Sequence, residues 1–435
     1  MRCCIKIPKS FFLILLAVLS FFSCSKGGGG SNSTPTPAPT ITSINVTSGP
    51  YNTYVTITGT GFSTTVANDK LYFNGKAAVV QYATSTELDT SVPLAAGTGK
   101  ITLTINSQTA TGPVFTYVPA EVVIPYSAVL NKIGVVNGPV AGATFYQPFG
   151  LTFDVSGNLY VAGEADDNIR KITPSGIVST VAGNGTQGFT NGPAANASFT
   201  DPTGVAVDAS GNIYVVDEGN NAIRKISTDG QVSTFAGGTK GYADGTGTAA
   251  SFDRPTDLVL DANGNLFVTD LYNYRIRKIT PAGVVTTFAG NSSYMSADGT
   301  GTGASFDNPG DIAIDKQGNL YVTEGDNLVR KITPQGVVTS IAGTIPLPLS
   351  SPFGMPQGIA FDASGNMYLE DSGRYQIEKM TPSGQLSVFA GTGNQNFVNG
   401  PVTSASFGFM EGIVIDPQGN IFISEGNQIN EITFE

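Results

Sequence analysis

Five acidic residues, Asp217, Asp270, Glu324, Asp371 and Glu425, recur at the same place in successive stretches of a 435-residue chain, each closing a short apolar run. Carboxylates that converge from several units can hold a cation or polarise a substrate. Here they would act without imidazole or indole, because the sequence contains no His and no Trp. That excludes Ser-His-Asp and Cys-His triads and histidine-ligated zinc or iron. A residue repeated at one place in five units is better explained as a local turn cap, since a catalytic site draws different residues from different units. No catalytic residue, metal site or cofactor is therefore assigned, and the reading is binding rather than catalysis.

The elements that carry these acids are strands. Charged residues make up 13% of the chain, Gly numbers 54, and runs of Val, Ile, Thr, Tyr and Phe are frequent, which predicts an all-β protein with many tight turns. A segment Asp-x-x-Gly-Asn begins at Asp154, Asp208, Asp261, Asp315, Asp362 and Asp416. Periodicity near 50 residues indicates a propeller or solenoid. The second unit shows four strand-like runs, GVAVD, NIYVVD, AIRKIS and QVSTFAG, and four strands with no crossover helix make a propeller blade. Asp-x-x-Gly-Asn itself lacks the additional oxygen donors and distant Glu of a calcium loop. It reads as a turn whose Asp accepts backbone N–H groups and whose Gly takes positive φ.

Other repeated residues read as structural. Phe145, Phe199, Phe252, Phe306 and Phe407 follow an Asn-Gly or Asp-Gly at fixed distance and are expected in the core. The Arg-Lys pairs at 170/171, 224/225, 277/278 and 330/331 split their charge between opposite strand faces. They are expected to be solvated and paired with acids rather than to form a basic patch. Units one to five each hold four strands and the sixth only three, so a strand from Ser127 to Gly134 is expected to complete a ring of six blades.

Pro202-Thr203-Gly204-Val205-Ala206-Val207-Asp208, Gly211-Asn212-Ile213-Tyr214-Val215-Val216-Asp217, then Asn220 and Ile223-Arg224-Lys225-Ile226, closely resemble the NHL repeat, and the match recurs six times across residues 122–435. Asp257 departs from it, replacing the Gly of the opening turn, and so does Ile429-Asn430-Glu431-Ile432. Upstream, residues 41–118 hold short alternating runs, ITSINV, YVTITGTGF, KLYFNG, AAVVQY, KITLTI and PVFTYV, that suggest a small immunoglobulin-like sandwich. Ser48-Gly49-Pro50, Thr58-Gly59-Thr60-Gly61-Phe62, Phe73-Asn74-Gly75 and Gly112-Pro113 resemble the IPT/TIG family, which implies a spacer or interaction role with no active site. The fold class is thus all-β: a six-bladed NHL-type β-propeller preceded by an immunoglobulin-like β-sandwich.

The first 23 residues have the form of an export signal: Arg2, Lys6 and Lys9, an apolar run from Phe11 to Phe22, then Ser23-Cys24. Leu19 to Cys24 resembles a bacterial lipobox, which implies cleavage before Cys24 and lipidation of that residue. Residues 24–40 then form a Gly/Ser and Thr/Pro tether. The expected location is the cell envelope, lipid-anchored, at the outer membrane of a Gram-negative bacterium, with its facing left open. The net charge of −11 would repel phosphate backbones, so nucleic acid is not an expected partner.

Strand alternation sorts the loops. First-to-second and third-to-fourth turns share one tight face, while second-to-third connections and interblade loops of about twenty residues share the other, where binding sites concentrate. The expected function is a monomeric, lipid-anchored binding or scaffold protein presenting that long-loop face to a protein or glycan. Tyr242, Tyr272, Tyr274 and Tyr375 are its candidate contacts, with Asp217 and Asp270 as polar partners. One alternative is a calcium-dependent hydrolase similar to gluconolactonase-like propellers, using carboxylates at the channel mouth, and such an enzyme requires a non-repeating cluster of acids and Asn there. The other is a purely structural surface module.

Overall fold

The computed structural model describes residues 38–127, 133–325, 327–342 and 353–434. The expected signal, Cys24 and most of the tether lie outside the described residues.

Two sheets form the N-terminal sandwich. One orders Thr40–Ile44, Tyr54–Thr60, Glu87–Ser91 and Val80–Ala83; the other orders Ser48–Gly49, Gln108–Tyr117, Gly99–Ile105, Lys70–Phe73 and Lys76–Ala78. Alternating residues from both faces bury Val55, Ile57, Leu88, Phe73, Ile101, Leu103 and Phe115 between them, as aligned sheet packing requires. The polar run Glu87–Ser91 is a strand that the apolar pattern does not announce; Leu88 and Thr90 point inward and its remaining three residues do not. AAVVQY, expected as one strand, is divided between the two sheets.

The second domain is a ring of six antiparallel blades. Each runs from an innermost strand, such as Pro202–Val207, through Ile213–Asp217 and Ala222–Ile226 to an outer strand, Gln231–Gly237. In the sixth blade the outer position is taken by Glu121–Pro125, which pairs antiparallel with Gln428–Phe434 from Glu121↔Phe434 to Pro125↔Asn430. The ring does close with an N-terminal strand, but one lying before the expected Ser127–Gly134 segment. Val122 and Val123 supply its buried residues.

Blades are wider than the four runs suggested. In five of them the interblade loop descends the outer edge and adds a two-residue fifth strand, as where Gly192–Pro193 pairs with Val232 and Gln231. These loops are therefore not free: they cover the strand edge that would otherwise be open to pairing, and each then drives a phenylalanine into the interblade core. Phe145, Phe199, Phe252, Phe306 and Phe407 are all fully buried. Blade five, whose preceding loop is largely outside the described residues, shows four strands, Pro356–Phe361 to Leu386–Ala390.

The tight turns behave as their sequence requires. Asp208 Oδ1 accepts the N–H groups of Ser210 and Asn212 at 2.9 Å each, and Oδ2 accepts the Asn212 amide at 2.8 Å. Gly211 sits at φ 87°, a conformation that favours glycine. Burial works against the Asp208 charge, yet the donors from Asn212 and Ser210 prevail and hold its carboxyl below the usual range.

Candidate functional site

The residues singled out by repetition turn out to build the scaffold. Arg170, Arg224, Arg277 and Arg330, expected on solvated faces, have no exposed surface and rank among the largest fully buried side chains. Alternation did place each Arg opposite its Lys; what covers the Arg face is the protein's own interblade loop. Arg224 Nη1 donates to Asp217 Oδ2 at 2.6 Å and to the Ser198 carbonyl at 3.0 Å, while Nη2 donates to the Thr190 carbonyl at 3.0 Å and to Asn191 Oδ1 at 2.8 Å. Phe189 and Phe199 flank the guanidinium at 4.7 and 5.1 Å. One planar fork thus ties the second strand, the third strand and the loop into a unit, a task suited to five fixed donors. Arg277 repeats it with Asp270, Ser251, Ala243 and Asp244.

Asp217 and Asp270, expected as polar partners of a ligand, are accordingly enclosed, with no exposed surface. Besides its Arg, each accepts a backbone N–H at the start of its own blade, Thr200 to Asp217 and Asp253 to Asp270, both at 2.8 Å. Glu324 meets Arg330 at 3.0 Å, Asp371 accepts from Gly354, and Glu425 accepts from Gly408 at 2.8 Å. Burial pushes Asp217 up to about 6, against the Thr200 N–H and Arg224. The five acids therefore cap and clasp locally, blade by blade, rather than converge. Among the described residues no group of three or more Asp, Glu, Cys or His is placed to hold a metal ion.

None of the four tyrosines lines the channel described below. Tyr242 lies against Arg275 at 3.8 Å and bonds to Thr287 on the outer strand at 2.9 Å. Tyr272 stands half-exposed beside Arg254, which is paired with Glu218. Tyr274 and Tyr375 occupy the left-handed corner of the second-to-third turn, at φ 56° and 55°, where Asn221 stands in blade two; a bulky residue there is uncommon. Tyr375 also packs edge-on to Phe409 at 5.6 Å.

The distinctive site is on the axis. The innermost strands wall a channel cavity of about 650 Å³, reached by residues of all six blades. Its wall is uneven. At the end nearest the second-to-third turns stand Asp257, Asp311 and Glu411, with Thr256, Asn308 and Gln357; toward the tight-turn face the lining becomes Val207, Leu260, Ile314, Phe361 and Ile415. In blades one, two, five and six the position of Asp257 and Asp311 is glycine, and the reason is steric. A Cβ on Gly150 would meet the Thr203 carbonyl at 2.3 Å, and one on Gly412 the Phe149 carbonyl at 2.6 Å. Blades three and four instead insert carboxyls between neighbouring inner strands, Asp257 accepting the Ile312 N–H at 3.1 Å and Asp311 the Ile359 N–H at 3.2 Å.

The two carboxyls are neighbours, Asp257 accepting the N–H of the residue that follows Asp311, and each acts on the other's charge. Burial raises Asp257 to about 6 and, with the Asp257 charge beside it, Asp311 well above the usual range. Glu370, from the second strand of blade five, is fully buried, accepts the Gly358 N–H at 3.2 Å, and leaves Oε1 without a partner. Burial and the neighbouring Glu411 raise its carboxyl strongly, and burial raises Glu411 to about 7. Sequence reasoning marked Asp257 as a departure from the repeat but did not carry the signal to Asp311, one blade on at the same position. Glu370 and Glu411 carried no comparable mark.

Family comparisons agree with this architecture. The IPT/TIG domain model matches residues 39–117, and the NHL repeat model matches 199–226 and 252–279, the loop phenylalanine through the third strand of blades two and three. The chain carries an IPT/TIG domain and NHL repeats. Among curated proteins it is 27% identical over 274 residues to Suppressor of Quenching 1 of Arabidopsis thaliana, covering 57% of this chain and 26% of the plant protein. It is 30% identical over 147 residues to NHL repeat-containing protein 2 of Bos taurus, covering 30% of this chain and 20% of that one. The chain thus spans about a quarter or less of the length of these relatives. Among solved structures, one from Bacteroides ovatus described as an auxiliary nutrient binding protein shares the fold, with TM-score 0.57 and 17% identity over 92% of this chain and 99% of that one.

Proposed function

We propose that this NHL propeller is an envelope-anchored binding protein that receives a small ligand in its central channel from the long-loop face. The observation that carries the reading is a cavity of about 650 Å³ with an acidic end and an apolar body, a volume within the range of small-molecule sites; the calcium-dependent hydrolase also asks for acids at the mouth, but among the described residues these are not grouped to hold a metal ion. The strand order supports the orientation: Glu121 starts the closing strand opposite Phe434, so the chain enters from the tight-turn face and the IPT/TIG domain attaches there. The mouth is then directed away from the tether. The nutrient-binding description of the Bacteroides ovatus protein is compatible with this role, and anchoring rests on the lipobox-like sequence at Cys24.

Thermal-shift screening against monosaccharides, oligosaccharides, nucleosides and amines is expected to give ligands that stabilise the protein and are lost in Gln357→Trp, which fills the cavity. Ligands that bind the variant equally would place recognition elsewhere. Cys24→Ala should move the protein from the membrane to the soluble fraction; unchanged partitioning would remove the anchor.

A further inference from the structure

The channel wall is specific about charge. Asp257 and Asp311 stand together at its polar end, Glu411 lines the cavity with them, and outside the lining Glu370 adds a wholly buried carboxyl with an unpartnered oxygen, close enough to Asp311 and Glu411 for their charges to act on one another. Around the mouth, Glu164, Glu218 and Asp201 add further negative charge, and the one cation acting on both Glu164 and Glu218, Arg254, is spent on Glu218. Keeping carboxyls this close is unfavourable unless they are protonated or meet a cation. Below them the lining is aliphatic and aromatic. A ligand complementary to both ends has a positive head and a hydrocarbon body.

Building on the binding role above, we propose that the channel takes a small organic cation, an alkylammonium group seated against Asp257 and Asp311 with its carbon chain directed toward Val207, Leu260, Ile314 and Phe361. The ammonium donates to the two carboxylates, and the proton that burial and the neighbouring Asp257 hold on Asp311 leaves to solvent. The titratable groups around it are Glu370 and Glu411, with Glu425 acting on Glu370, and burial raises all three carboxyls; Glu324, which also lines the cavity, is paired with Arg330. A neutral ligand of the same shape gains the apolar contacts but not the charge contact.

The test uses the full-length protein and hexylammonium, with 1-hexanol as the neutral isostere. Calorimetry near pH 7 in two buffers of different ionisation enthalpy should show hexylammonium binding with proton release, at least tenfold tighter than hexanol and weakened by salt. Asp257→Asn/Asp311→Asn, which keeps the shape and removes the charge, should lose that preference. The wild-type salt dependence needs no variant and serves if the double variant fails to fold. Equal affinity for hexanol, or binding without proton release, would overturn the proposal. Binding of a sugar or nucleoside that Gln357→Trp abolishes, with no hexylammonium binding, would overturn the cation and leave the channel as a binding site. No channel ligand of any class would remove both.

Discussion

The outer and inner halves of each blade follow opposite rules. Outside, the same clasp is built four times around Arg170, Arg224, Arg277 and Arg330. Inside, the opening position is glycine in four blades and aspartate in two adjacent ones, and Glu370 and Glu411 each occur once. Repetition therefore marks what holds the ring together, and its interruption marks where the ring differs from a bare scaffold. The five acids at the ends of the second strands look chemical in isolation and are mechanical in place; Asp257 looks like a blemish in the repeat and lies at the polar end of the channel.

The widest separation between the halves should come from closure. Deleting 121–125 is expected to abolish cooperative unfolding and cause aggregation, because it opens two sheet edges, whereas removing 38–117 should leave a folded propeller. Circular dichroism melts and light scattering distinguish these, and equal tolerance would mean that the closing strand contributes little. Next, Arg224→Ala should destabilise by about 3–5 kcal/mol in urea denaturation, since it leaves Asp217 buried and uncompensated. A loss below about 1 kcal/mol would show that the clasp is not a stabilising unit. The smallest effect is the pH slope, to which the channel carboxyls contribute together with Asp166, Asp217 and Glu425, raised by burial to about 6, 6 and 7. Asp257, Asp311, Glu370 and Glu411 hold their protons more tightly folded than unfolded, with Asp257 near 6 and Glu411 near 7. Stability is therefore lost as pH rises from about 4 to about 7. The melting temperature should be higher at pH 5 than at pH 8, and Glu411→Gln should flatten the difference; a rise toward pH 8 would contradict the buried-carboxyl reading.

Much of this fold was legible because its information is local. Period-2 alternation, Asp-x-x-Gly-Asn and the recurring Phe each report on residues a few positions apart, and they located the blades, turns and interblade core. What sequence reading missed depends on the chain's return path. Gly192–Pro193 reads as loop because two residues carry no period, and Arg224 holds the neighbouring Asn191. The same return path buries Arg224. The closing strand was expected too late in the sequence, at Ser127–Gly134, because strand counting shows that one is missing without marking which upstream run, here Val122 and Val123, supplies it. Of the site, Asp257 was visible as an anomaly; the meeting of Asp257, Asp311, Glu370 and Glu411 required the radius of the ring.

The seal between Glu121–Pro125 and Gln428–Phe434 also orders events in time. A ribosome makes the closing strand before any complete blade and its partner after the other blade strands, so every nascent intermediate carries an unsealed ring. Blades can form one by one from local contacts, but the last step joins strands separated by the whole propeller sequence, and such long-range pairing is slow. Until then the apolar Val122 and Val123 wait without a partner, and a helper that holds this strand would speed maturation more than one acting on any single blade.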